Sequence, residues 1–205
     1  MNSEPFRSKR LLYRAVEEDS PADEAFFHAL YNDPQVSSKT ETSLQRPLST
    51  AETKQILKDI KPQALLAVFI CKIPELPSDD TSGHEQAQEE PKPIGVIVVR
   101  APKPSFIQNR STNFGISIVP EHQGNGYGPE AISWLLDWCF LTAGLHRVEL
   151  GVFEWNERAR KIYERLGFVA EGRQRESLWK DGRWWDRISM GILDHEWAGA
   201  KNRGL

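Results

Sequence analysis

Cysteine is nearly absent, at two among 205 residues. Cys71 and Cys139 each lie in an apolar run and neither belongs to a Cys-x-x-Cys pair, which excludes a disulfide-stapled scaffold and points to core thiols in a reducing compartment. Histidine is sparse as well. The five are dispersed, and His195-Glu196 lacks the second histidine of a helical zinc motif, so no metal is expected. Long apolar runs are missing: residues 131–145 are broken by Asp137 and too short to span a bilayer, and residues 1–10 lack the apolar core of a signal peptide. The expectation is a soluble, cytoplasmic protein with no membrane partner. Basic charge is not in excess either, since the net charge is −3. That leaves no footprint for nucleic acid and leans slightly toward a cationic substrate.

What is present fits one globular domain over residues 1–205. Hydrophobic residues make up 39% and charged residues 27%, and the length suffices for one well-buried core but is short for two. Residues 74–93 stand apart. They are rich in Asp, Glu, Ser, Gln and Pro, with little to bury, and read as a disordered acidic hairpin insertion.

Residues 10–15 form a first strand. The acidic run ending at Ser20-Pro21 starts a helix that carries Phe26, Phe27, Leu30 and Tyr31 and stops before Pro34. A polar connection over residues 35–48 precedes a second helix, capped at Ser49 or Thr50, with Ile56, Leu57 and Ile60 as its stripe. A connection this long and polar is more often functional than not. Residues 64–73 and 94–99 are apolar central strands, and residues 113–119 form a fourth. A helix from Pro129 to about Ala143, a strand over 146–152 and a helix over 157–166 ended by Gly167 follow. Phe168 opens a further strand, and Lys180-Asp181-Gly182-Arg183 turns a closing hairpin. The order β-α-α-β-β-β-α-β-α-β-β describes an α+β domain with a mixed, mostly antiparallel sheet and one βαβ crossover.

That crossover holds the most informative stretch, Ile116-Ser117-Ile118-Val119-Pro120-Glu121-His122-Gln123-Gly124-Asn125-Gly126-Tyr127-Gly128-Pro129. A strand runs into alternating glycines and then a helix start. Glycine lets backbone N–H groups approach a ligand closely, and the helix N-terminus adds partial positive charge, so phosphate or pyrophosphate is the natural guest. The dinucleotide pattern Gly-x-Gly-x-x-Gly fails, because Pro129 and Ala131 stand where its third glycine belongs. A P-loop fails for want of Gly-Lys followed by Ser or Thr. A glycine-rich connection with no ligand stays open on the loop alone.

Gln123 to Gly128 also resembles the Gln/Arg-x-x-Gly-x-Gly/Ala loop of the GNAT superfamily of acetyl-CoA-dependent N-acetyltransferases. One strand later, Asn156, Ala159, Tyr163, Gly167 and Phe168 match that superfamily's Asn-x-x-Ala-x-x-x-Tyr-x-x-x-Gly-Phe signature. Asp33-Pro34, Glu171-Gly172 and residues 184–190 are similar to the branch with ribosomal-protein N-terminal and spermidine acetyltransferases. The resemblance is tight over residues 113–190 and loose before residue 94.

It implies a GNAT-like fold and direct acetyl transfer from the co-substrate acetyl-CoA to a primary amine of a small molecule or a protein N-terminus. Ile116, Ser117 and Ile118 would offer backbone groups to the pantetheine arm. Gln123, Gly124, Asn125, Gly126, Tyr127, Gly128 and Pro129 would wrap the pyrophosphate. Asn156 would bond the pantetheine from the other side, and Tyr163 would protonate the departing thiolate. Plain packing competes for Tyr163, because Ala159, Ile162, Tyr163 and Leu166 fall on one helical stripe. Glu41, in the polar connection, is a candidate general base beside the reading of a solvated carboxylate. A non-catalytic acyl-CoA-binding or sensing module is the alternative function, and the chain is expected to be a monomer or homodimer. All seven tryptophans lie at or after Trp134, where they line a cleft, pair subunits or pack.

Overall fold

Local capping signals set the helix boundaries in the computed structural model, which describes residues 4–17, 19–74 and 91–202. Strand β1 (Leu11–Ala15) leads to α1 (Pro21–Asn32), where the Ser20 side chain accepts from the Asp23 amide and Pro21 occupies the first turn. The Asp33 backbone turns extended, and its carboxylate caps α2 (Pro34–Thr40) by accepting from the Gln35 amide at 2.7 Å. The connection expected to be irregular over 35–48 therefore begins with a helix: Asp33-Pro34 ends one helix and starts the next. Helix α3 (Thr50–Gln63) opens on a reciprocal capping box between Ser49 and Glu52.

Strands β2 (Ala64–Lys72) and β3 (Lys92–Arg100) pair antiparallel, Lys72 facing Lys92. The ladder thus claims the last two residues of the 74–93 segment expected to be disordered, and residues 75–90 lie outside the described residues. Next come β4 (Ser111–Ile118), α4 (Tyr127–Asp137), β5 (Arg147–Phe153), α5 (Glu157–Arg165), β6 (Val169–Lys180), β7 (Arg183–Leu193) and α6 (Asp194–Asn202). Helix α4 begins two residues before Pro129, and the stretch expected to stay helical to Ala143 passes into a π turn over Trp138–Thr142 closed by Ala143 N–H to Trp138 C=O at 2.9 Å. The expected order has no counterpart of α2 or α6. Helix α6 is short and polar, and it is anchored by buried Trp197, whose indole donates to Asp137 at 2.9 Å.

The strands form one seven-stranded sheet in the order β1-β2-β3-β4-β5-β7-β6, antiparallel except where β4 meets β5. The β6–β7 turn has both Asp181 and Gly182 at positive φ (52° and 77°), as an Asp-Gly hairpin requires. Helices α4, α5 and α6 cover one face, meeting Ile97, Val99, Val148, Leu150, Ile188, Met190 and Ile192. Helices α1, α2 and α3 cover the other face only over its first half, where Phe27, Leu30, Val36 and Leu57 pack on Phe69, Cys71 and Val96. Strand β2 is apolar at successive positions because Val68 and Ile70 serve one core while Phe69 and Cys71 serve the other. Each such side chain contributes about 1.5–3 kcal/mol by leaving water. Over β5, β7 and β6 the second face has no helix in its core cluster, and its alternate residues are polar.

Candidate functional site

The sheet opens at its centre. Strand β4 pairs with β3 along Phe114–Ile118, but with β5 only where Ser111, Thr112 and Asn113 face Arg147, Val148 and Glu149. Beyond Asn113 the two parallel strands have no mutual ladder. A groove of 650 Å³ opens beside the parted stretch of β4, with Ile116, Ser117 and Ile118 on one wall, and α5 on the other through Asn156, Ala159 and Tyr163.

The glycine loop closes the groove's mouth. Gly124 and Gly126 take φ of +92° and +81°, which L side chains rarely adopt, and Gly126 caps α4 in the left-handed conformation. Gly128 has ordinary φ, and a Cβ there would first meet the Ile118 side chain at 3.8 Å. Among the described residues none accepts a hydrogen bond from the amides of residues 124–128, so a row of donors faces the start of a helix. Arg158, the second residue of α5, reaches within 3.2 Å of where a Gly124 Cβ would stand and has no ion-pair partner among the described residues. Donors, cation and the room left by absent side chains fit an extended phosphate ester.

The loop is braced from behind. Glu130 accepts from the Arg10 amide, the Ser8 hydroxyl and the Arg10 guanidinium, all at 2.7 Å. Arg10 also donates to the Asn125 carbonyl at 3.0 Å and lies 4.6 Å over the Tyr127 ring. Burial raises the Glu130 carboxyl, but these donors hold it below the ordinary range.

Of the expected pyrophosphate residues, Gln123, Gly124, Gly126, Gly128 and Pro129 line the groove; Asn125 and Tyr127 do not. Tyr127 is buried beneath Arg10, and the Gln123 side-chain NH2 group donates to the Ile118 carbonyl at 2.8 Å, fixing the strand-to-loop corner. Asn156 faces the groove while capping α5, its side chain accepting from the Ala159 amide at 3.3 Å. Its side-chain oxygen is therefore engaged, and its NH2 group makes no hydrogen bond among the described residues.

Tyr163 stands where the groove meets a second cavity, a cleft of 820 Å³, and lines both. Its ring makes edge contacts with Phe114 and Phe168 at 6.3 and 5.7 Å. The stripe and the site thus coincide: the ring packs, and the hydroxyl finds no partner among the described residues. Desolvation pushes the phenol up to about 12, so it is protonated throughout the neutral range.

The cleft's floor is the polar second face of β5, β7 and β6, including Glu149, Gly151, Arg187, Ser189 and Glu171. Arg147 holds Glu149 at 2.6 Å and Glu171 through a second nitrogen at 2.9 Å. Glu41 stands at the rim with Tyr31 and Arg100. The residue is exposed overall, yet protein crowding its carboxylate raises its pKa against the opposing pull of Arg100. Trp155 reaches the groove and ties it to α2 by donating to the Ser38 carbonyl at 3.0 Å. Sequence reasoning missed Arg10, Arg158 and the floor. The signal for the floor was there, because the polar alternates of residues 147–153 and 187–191 mark a face no hydrophobic layer covers.

A family model described as an acetyltransferase (GNAT) domain matches residues 10–169. A spermidine N(1)-acetyltransferase of Vibrio cholerae is 39% identical over 89 residues, 43% of this chain and 51% of that protein. A spermidine N(1)-acetyltransferase of Escherichia coli strain K12 is 34% identical over 89 residues, 43% of this chain and 48% of that protein. The chain spans about half the length of the curated relatives it matches. The crystal structure of spermidine N-acetyltransferase from Vibrio cholerae in complex with CoA and spermine is similar with a TM-score of 0.71 and 28% identity, covering 93% of this chain and 99% of that one.

Proposed function

We propose, from the premise that this chain belongs to the GNAT acetyltransferase family, that it transfers the acetyl group of acetyl-CoA to a primary amine of a small molecule or protein N-terminus. The observation that carries the reading is the parting of β4 from β5, with unclaimed amides at one end of the groove and the Tyr163 hydroxyl at its junction with a polar cleft. In this reading the amides of residues 124–128 and Arg158 take the pyrophosphate, while Ile116 to Ile118 and Asn156 take the pantetheine arm. Acetyl-CoA, when bound, supplies a thioester already activated toward amines, so no covalent enzyme intermediate is required.

The amine nitrogen forms the new C–N bond as the C–S bond breaks. Tyr163 gives its proton toward the departing sulfur, and the proton lost by the nitrogen returns to the pool from which Tyr163 is recharged. A phenol near 12 is a weak acid toward a thiolate whose ordinary value is about 8.5, so its contribution begins as hydrogen bonding while charge builds on sulfur. A non-catalytic sensing module would have no use for a donor at that point. The test is thiol release from acetyl-CoA with a panel of amines. Tight binding of acetyl-CoA without release on any amine would favour the sensing module instead.

A further inference from the structure

The cleft floor carries one cation with no assigned task. Glu149 and Glu171 are both held by Arg147, and Glu41 has Arg100 beside it. Arg187, on the same floor, has no carboxylate or hydrogen-bond acceptor among the described residues. Its guanidinium instead lies over Gly151 of β5. A Cβ on Gly151 would fall 2.5 Å from Nε and 2.6 Å from Nη2, so glycine at 151 is what lets the fork rest there, and Gly151 shows no positive φ that would otherwise call for glycine. Ser189, paired with Gly151 across the ladder, and Gln174, paired with Arg187, flank the fork with neutral polar side chains. Tyr163 lines the same cleft.

From this we infer that the acceptor is a primary amine bearing a carboxylate, which Arg187 receives while the amine is presented toward Tyr163. The inference rests on the transferase reading and deepens it. A polyamine would find the floor's two carboxylates already hydrogen-bonded to Arg147, whereas a carboxylate would give the unpaired fork the planar, two-oxygen partner that a guanidinium prefers. The negative net charge of the whole chain does not decide this, because screening confines surface charge to within about 10 Å.

The test compares kcat/KM for L-methionine with L-methioninamide, and for a peptide beginning with Asp with one beginning with Asn, with spermidine as the carboxylate-free polyamine. The first pair probes a free amino acid and the second a peptide N-terminus. A charge-assisted bond predicts a preference of roughly 10- to 100-fold for the carboxylate in at least one pair. The amide's amine is the less basic and intrinsically readier to react, so the preference has to overcome that bias. In Arg187→Gln the ratio should fall to within about threefold of unity, with the change carried in KM and the acetyl-CoA thermal shift retained. Gly151→Ala, which leaves the charge but displaces the fork, should lower the ratio partway. Equal rates within both pairs, a spermidine rate above all of them, or an unchanged ratio in Arg187→Gln would overturn the inference and leave the transferase reading standing. No thiol release with any amine would overturn both.

Discussion

The groove proposed for the coenzyme and the cleft proposed for the acceptor meet at Tyr163 but are assembled in opposite ways. The groove is lined mainly by two short runs, residues 116–129 and 155–165, joined by α2 and Ile132, and the groups proposed to hold the coenzyme are largely backbone amides at a helix start. The cleft is lined from residue 31 to residue 190, by helices on one side and by the five strands β3 to β7 on the other. A backbone site tolerates nearly any side chain that stays out of the way and demands glycine where φ is positive. A side-chain site demands particular residues at positions the chain brings together only at the end. The first should fail through added bulk, and the second through lost charge.

The largest expected effect is at the junction. Tyr163→Phe keeps the edge contacts with Phe114 and Phe168 and deletes the hydroxyl, and kcat should fall by about 10²-fold with acetyl-CoA binding retained. A loss under about threefold would return Tyr163 to the packing stripe. Gly128→Val tests the backbone nature of the groove. Gly126→Val is the poorer test, because φ of +81° strains a β-branched residue with or without ligand, whereas Gly128 is helical and has room. Acetyl-CoA at 100 times its Kd should stabilise the native protein by about 2.7 kcal/mol, a shift of several degrees in Tm. That shift should nearly vanish in Gly128→Val, and equal shifts would remove the loop from the account.

The brace behind the loop is expected to matter less. Glu130 titrates below its ordinary value of 4.5, so its contribution to stability is present above that pH and is lost as pH falls through the lowered folded value. After allowance for its partial exposure, Glu130→Gln should cost about 1 kcal/mol at neutral pH and flatten the acid limb of a Tm-versus-pH curve. An unchanged acid limb would mean that Arg10 and Ser8 do not hold the carboxylate in solution. The smallest effect is expected from residues 75–90. Lys72 and Lys92 already pair across the hairpin, and loop length changes closure entropy by about 0.6 kcal/mol per doubling, so a short Gly-Ser replacement should leave Tm and acetyl-CoA binding nearly unchanged. A large loss of either would show that the segment contributes to the fold.

Period and punctuation in the sequence determined most of the elements: Ser20-Pro21, Ser49 and Gly167 mark boundaries that hold in the structure, and Asp181-Gly182 turns the hairpin as expected. The glycine loop and Tyr163 were legible for the same reason, since each belongs to a run whose spacing along the chain is its spacing in space. Helix α2 was hidden because Asp33 and Pro34 serve as both a stop and a start, and α6 because its burial rests on Trp197 and Ala200 in an otherwise polar run. Tertiary structure alone decided the parting of β4 from β5, the grip of Arg10 on Glu130 across 120 positions, and the pairing of Arg147 with Glu149 and Glu171 that leaves Arg187 unmatched. Hydrogen bonds and ion pairs act over a few ångströms, and no local pattern records which distant residues a seven-stranded sheet will bring within that reach.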